Sequence, residues 1–141
     1  MFLPYIPLSF LIVHTVGDFT LQNNFMAVNK SKRLDALLLH VLIYSFTFLL
    51  FTVFAGYDFE KLPLFFLITF LSHFVTDFVT SRISRALFPF IKAWPSIPDD
   101  REYIDMEGRE GRSRHRFFEC IGYDQLIHFT TLSFTYQWLI R

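Results

Sequence analysis

The chain has 141 residues, 52% of them hydrophobic and 20% aromatic, with 20 phenylalanines and a formal net charge of zero. That leaves room for one domain, and the apolar excess excludes an ordinary soluble composition and points to a membrane protein. A single cysteine, Cys120, excludes an intrachain disulfide and a cysteine-based zinc site.

The first apolar run covers about 2–22. Pro4 and Pro7 fall in its first turns, where proline does a helix little harm. No basic segment or small-residue cleavage site marks the run as removable, so it reads as a retained span. Its second half, HTVGDFTLQNN, sets His14, Asp18 and Gln22 at successive i, i+4 positions, a polar stripe on an otherwise apolar helix. Gly17 beside that stripe is small enough to admit a neighbouring helix.

Asn23 to Asp35 carries Lys30, Lys32 and Arg33 and no apolar run long enough to span, so it reads as a loop or short interfacial turn. The second apolar run, about 36–56, matches a hydrocarbon core of ~30 Å. Its one strongly polar side chain is His40, with Tyr44 and Ser45 reading as packing. The third run, about 62–82, holds SHFVTDF, which puts His73 and Asp77 four residues apart on one helical face. An acidic side chain near a bilayer midplane costs roughly 2.5 to 3.5 kcal/mol, so this pair calls for a compensating partner.

Ala86 to Pro98 is apolar but broken by Pro89, Pro95 and Pro98, which suits the interface with Trp94 as an anchor. Asp99 to Arg116 mixes both signs of charge and reads as solvated, so about 86–116 forms one long loop. His115, between Arg114 and Arg116, belongs to that solvated surface. The fourth run, about 117–139, repeats the i, i+4 pair as Asp124 and His128. The expected architecture is all-α: one transmembrane domain over 1–141, a four-helix integral membrane bundle with an interfacial and solvated loop between helices 3 and 4.

Lys and Arg crowd into the first and third loops, whereas the second loop has Lys61 and the carboxyl end Arg141. The positive-inside rule makes the crowded loops cytoplasmic and places both termini outside. From the cytoplasmic ends of their spans, His14, Asp18, His40, His73, Asp77, Asp124 and His128 all lie roughly 6 to 18 Å deep at ~1.5 Å rise per residue. Four helices thus offer His and Asp at one level, as bundles do when they build metal sites. The set suits one or two divalent ions, with zinc, manganese and iron equally compatible. His14, His73 and His128 are the leading nitrogen ligands, His40 joins them, and Asp18, Asp77 and Asp124 are candidate catalytic bases or bridging carboxylates. Gln22 and Gln125 either orient carboxylates or pack between helices.

HTVGDFTLQ followed by MAVNKSK, LLLHVLIY, SHFVTDF and YDQLIHF, in this order and spacing, resemble the bacterial and phage membrane proteins grouped as domain-of-unknown-function family 3307. The resemblance covers all four spans and implies a bacterial inner-membrane location without implying an activity. More distantly, the paired His and Asp are similar to small inner-membrane metal-dependent hydrolases, an analogy at the level of fold.

The leading functional expectation is a membrane metalloprotein in which a metal-activated water attacks an ester or phosphoester at the cytoplasmic side. The expected partners are membrane lipid and a phosphate-containing lipid substrate drawn by the basic boundary residues, with no nucleic acid partner. Two alternatives stand beside it: a proton or metal-ion transporter using the same cluster, and a non-enzymatic membrane assembly or exclusion factor in which the polar layer fixes helix register.

Overall fold

A computed structural model describes residues 7–87 and 112–140, and these are helical with short connections and no strand among them. Helix α1, Leu8–Thr15, starts after Pro7, whose extended backbone (ψ 144°) and missing N–H suit a helix entry. The helix then widens over Val16–Thr20 into a π-turn, closed by the Leu21 N–H on the Val16 carbonyl at 2.9 Å. The extra residue in this turn keeps both His14 and Asp18 on the buried side, while Phe19 and Thr20 face out.

Asn23 stops the chain and restarts it. Its side chain accepts the Met26 N–H at 3.0 Å and caps the short helix α2, Asn24–Asn29. The expected loop between spans one and two therefore contains a helical turn pinned by the buried Met26. Helix α3, Leu34–Phe54, buries Leu37, His40, Val41, Tyr44, Phe48 and Thr52, one stripe at three- and four-residue spacing. Leu38, Leu42, Phe46, Leu50 and Val53 on the other side are exposed. Gly56 follows the helix with φ +74°, a left-handed conformation that glycine adopts without steric cost.

Helix α4, Leu62–Leu87, and helix α5, Arg112–Thr135, complete the set, with Tyr136–Ile140 continuing α5 as a second π-turn. Both helices run about five residues beyond the apolar runs at the end bearing Arg85 and Arg112. The charged residues there form good helix once outside an apolar layer. The helices alternate in direction. Arg85 donates to the Ser31 carbonyl at 3.4 Å at one end, and Tyr57 meets Tyr136 ring to ring at 6.3 Å at the other.

Among the described residues, two helices, Leu34–Phe54 and Leu62–Ala86, are long and apolar enough to cross a membrane. Leu8–Thr20 is apolar but shorter, and α5 begins with a charged stretch. Most of the expected 86–116 loop, with Trp94, lies outside the described residues, as do the surroundings of the His115 side chain.

Along its axis the bundle divides in two. At the end marked by Tyr57 and Tyr136, Phe10, Phe48, Phe65, Leu62 and Leu132 form a closed apolar core, with the Phe10 ring 4.7 Å from Tyr136 and 5.4 Å from Phe51. Toward the other end, the core gives way to a layer of histidines and aspartates.

Candidate metal centre

Each helix contributes to this layer from positions fixed by its periodicity: His14 and Asp18 from α1 and its π-turn, His40 from α3, His73 and Asp77 from α4, Asp124 and His128 from α5. All seven residues singled out by depth come together. Six of them are 4% exposed or less, whereas the Asp124 side chain is 17% exposed and so lies nearest the surface.

Close approach of α1 to α3 makes this possible. A Cβ on Gly17 would stand 3.1 Å from Tyr44 Cδ2 and 3.4 Å from Tyr44 Cα, a tight fit that glycine relieves where the π-turn seats Asp18 against His40. Tyr44 in turn stacks on His73 at 3.7 Å with 17° between planes, and His73 stacks on His128 at 4.2 Å.

His40 Nε2 and His73 Nε2 point at each other across 3.1 Å. Asp18 Oδ1 lies 3.1 Å from the first and 3.6 Å from the second. Asp77 Oδ2 lies 3.2 and 3.8 Å from the same two atoms. Four ligands around a tetrahedral ion with bonds of about 2.05 Å stand about 3.3 Å apart, so these separations match the edges of such a shell. The donor set of two imidazoles and two carboxylates fits a divalent transition metal. One feature departs from the commonest pattern: His40 Nδ1 and His73 Nδ1 are buried without a hydrogen-bond partner, where metal-bound histidines usually donate to an acceptor.

The carboxylates of Asp18 and Asp77 each look two ways. Asp77 Oδ1 is 3.2 Å from His128 Nε2, which also lies 3.5 Å from Asp124 Oδ1. Asp18, Asp124 and His128 form a second group whose ligand atoms lie within 4.8 Å of one another.

His14 sits differently. Gln125 Nε2 donates to Asp18 Oδ2 at 2.9 Å and to Asp124 Oδ2 at 3.2 Å, so its Oε1, 2.8 Å from His14 Nε2, accepts the His14 N–H. His14 Nδ1 then accepts from the Tyr44 hydroxyl at 2.8 Å. Both ring nitrogens hydrogen-bond uncharged partners, with Asp18 Oδ2 standing 3.6 Å from Nε2, and His14 orients Gln125, which orients the two aspartates. Thr80 donates to Asp124 Oδ1 and fixes its other oxygen.

Lys30, Tyr44, Thr80 and Gln125 enlarge the site beyond the seven residues. Lys30 rises from the end of α2 and donates to Asp77 Oδ2 at 2.8 Å, its side chain 19% exposed against 1% for Asp77. Burial works against the Lys30 ammonium, but Asp77, Asp18 and Asp124 outweigh it and hold its pKa above the ordinary lysine value. The sequence signal for Lys30 was indirect, since three carboxylates inside an apolar bundle ask for a cation, but its loop position also satisfies the positive-inside rule. Gln22, the last member of the expected stripe, falls after the π-turn, and its Oε1 has no hydrogen-bond partner.

Comparison with curated proteins and with solved structures finds no match. The profile of the family described as "Protein of unknown function (DUF3307)" matches residues 6–141, nearly the whole chain and every residue of the histidine–aspartate layer. The chain belongs to the DUF3307 family.

Proposed function

We propose that this protein is an integral membrane metalloenzyme, a hydrolase of esters or phosphoesters working at the cytoplasmic face of a bacterial inner membrane. In this reading α1, α3, α4 and α5 all span, both termini lie outside, and the long loop faces the cytoplasm. Supporting it are the outward Leu38, Leu42, Phe46, Leu50, Leu67, Leu71 and Val75, a surface that costs nothing in lipid and a great deal in water.

The observation that carries the reading is the buried group of ligand atoms from Asp18, His40, His73 and Asp77, in which the two imidazole nitrogens stand 3.1 Å apart and each carboxylate oxygen lies 3.1 to 3.8 Å from both, close to the edges of a tetrahedral shell. Asp77 Oδ1 faces His128, and Asp18, Asp124 and His128 form a second candidate ligand group, so these residues would hold a second ion beside the first. Bound divalent ions would supply Lewis acidity and lower the pKa of water. The chain itself excludes bulk water with the aromatic core, orients Asp18 through Gln125, and keeps Asp124 within reach of the surface to take up or deliver a proton.

Transport by the same residues is less well supported. Phe10, Phe48, Phe65, Phe51, Tyr57 and Tyr136 close the outer half, leaving no ionisable relay beyond the layer among the described residues. Metal analysis of protein purified without chelator tests the proposal. Stoichiometric transition metal that is lost in His73→Ala and Asp77→Ala is the expected result. Metal-free wild-type protein with unaltered stability in both variants would overturn it.

A further inference from the structure

Three aspartates and one lysine set the formal charge of the layer. Asp18, Asp77 and Asp124 bring three negative charges, and Lys30 is the only lysine or arginine in contact with them among the described residues. With two divalent ions bound, as proposed above, the sum becomes three negative against five positive, a surplus of two positive charges inside an apolar bundle. Such a surplus is costly unless an anion meets it.

The place for that anion is set by Lys30. Its ammonium rests on Asp77 Oδ2, the same oxygen that faces His40 and His73, so an ion bound there and the ammonium compete for one acceptor. The backbone that delivers Lys30 is fixed: its N–H bonds the Met26 carbonyl at 2.9 Å, Met26 is buried, and Arg85 holds the neighbouring Ser31 carbonyl. The side chain is part-exposed, so a turn away from Asp77 would carry its ammonium toward the surface. Arg82 and Arg85 stand at this same end of the bundle and draw anions toward it.

We propose that Lys30 is the anion anchor of the centre, and that the substrate presents a doubly charged phosphoryl group, either a phosphomonoester lipid headgroup or a soluble phosphate ester. Lys30 leaves Asp77 when the ions bind and donates to a phosphoryl oxygen beside them. This rests on the metal reading and on two ions, and extends both to the substrate.

The test uses full-length protein in neutral-detergent micelles loaded with manganese, titrated with inorganic phosphate by calorimetry. Wild type is expected to hold two manganese ions and bind phosphate. Lys30→Met is expected to keep both ions and lose phosphate affinity by about tenfold or more, the effect of one charge-assisted hydrogen bond, while Lys30→Arg stays within about threefold of wild type. Adding phosphatidic acid to the micelles separates the two sources: competition with phosphate assigns the anchor to a lipid headgroup, and no competition to a soluble ester. Phosphate affinity equal in wild type and Lys30→Met, or no phosphate binding by manganese-loaded wild type, would overturn the anchor. A single ion per chain removes the charge surplus and overturns it too. Wild type that binds no metal at all defeats the metal reading itself, a separate result. Should Lys30→Met fail to fold, Lys30→Gln is read in its place.

Discussion

His40 Nε2 and His73 Nε2, from helices α3 and α4, face each other at 3.1 Å with no room for a hydrogen on both. At least one of the two nitrogens offers a lone pair to the space it shares with Asp18 and Asp77. A cation satisfies both rings at once. His40→Ala and His73→Ala are each expected to weaken metal binding by about 100-fold or more, beyond the loss typical of an outer orienting residue. Chelator competition in detergent measures it.

Gln125 hydrogen-bonds His14, Asp18 and Asp124 together. Gln125→Leu removes the acceptor of the buried His14 N–H and the donor to Asp18, leaving only the longer 3.6 Å approach of His14 to Asp18, at an expected cost of about 1 to 3 kcal/mol. Denaturant titration of the chelated protein reads this loss. Gln125→Glu is expected to cost more, because it sets a third carboxylate against two.

Gly17 is a packing prediction with a consequence for chemistry. Gly17→Ala pushes a methyl against Tyr44, and overpacking of this kind costs about 1 to 3 kcal/mol. The Tyr44 ring cannot yield without disturbing His73, on which it stacks. Metal affinity is therefore expected to fall together with thermal stability, and an unchanged affinity would show that the two are separable.

The Lys30 ammonium has a raised pKa in the folded protein. Its contribution is therefore complete below the ordinary lysine value of 10.5 and fades as pH rises through the higher folded value. In chelator, the stability gap between wild type and Lys30→Met is expected to be constant below 10.5 and to narrow as pH rises from there through the folded value. Thermal melts across the alkaline range provide the comparison.

The common level of the histidines and aspartates was legible because helical rise counted from the ends of alternating helices fixes it. The seven residues accordingly meet in one layer of the bundle. The division of labour within the layer was not legible. His14 Nε2 lies 3.6 Å from Asp18 much as His73 Nε2 lies 3.8 Å from Asp77, yet the hydrogen bonds of His14 go to Tyr44 and Gln125, because side-chain torsions and the neighbouring helices decide that choice. Lys30 escaped for a related reason. A long flexible side chain in a charged loop carries no period that reveals where its end will rest. The π-turn over Val16–Thr20 has no simple sequence mark either, and it breaks the stripe just before Gln22.

The ring of phenylalanines and tyrosines around Phe10 closes the far side of the layer. Among the described residues, the part-exposed Lys30 and Asp124 lie away from that plug. On the proposed metal reading, ions and substrate would share this approach, so the ions would have to be seated before substrate arrives. A tight-binding product would then sit over the ions and make their exchange slower in its presence than in its absence.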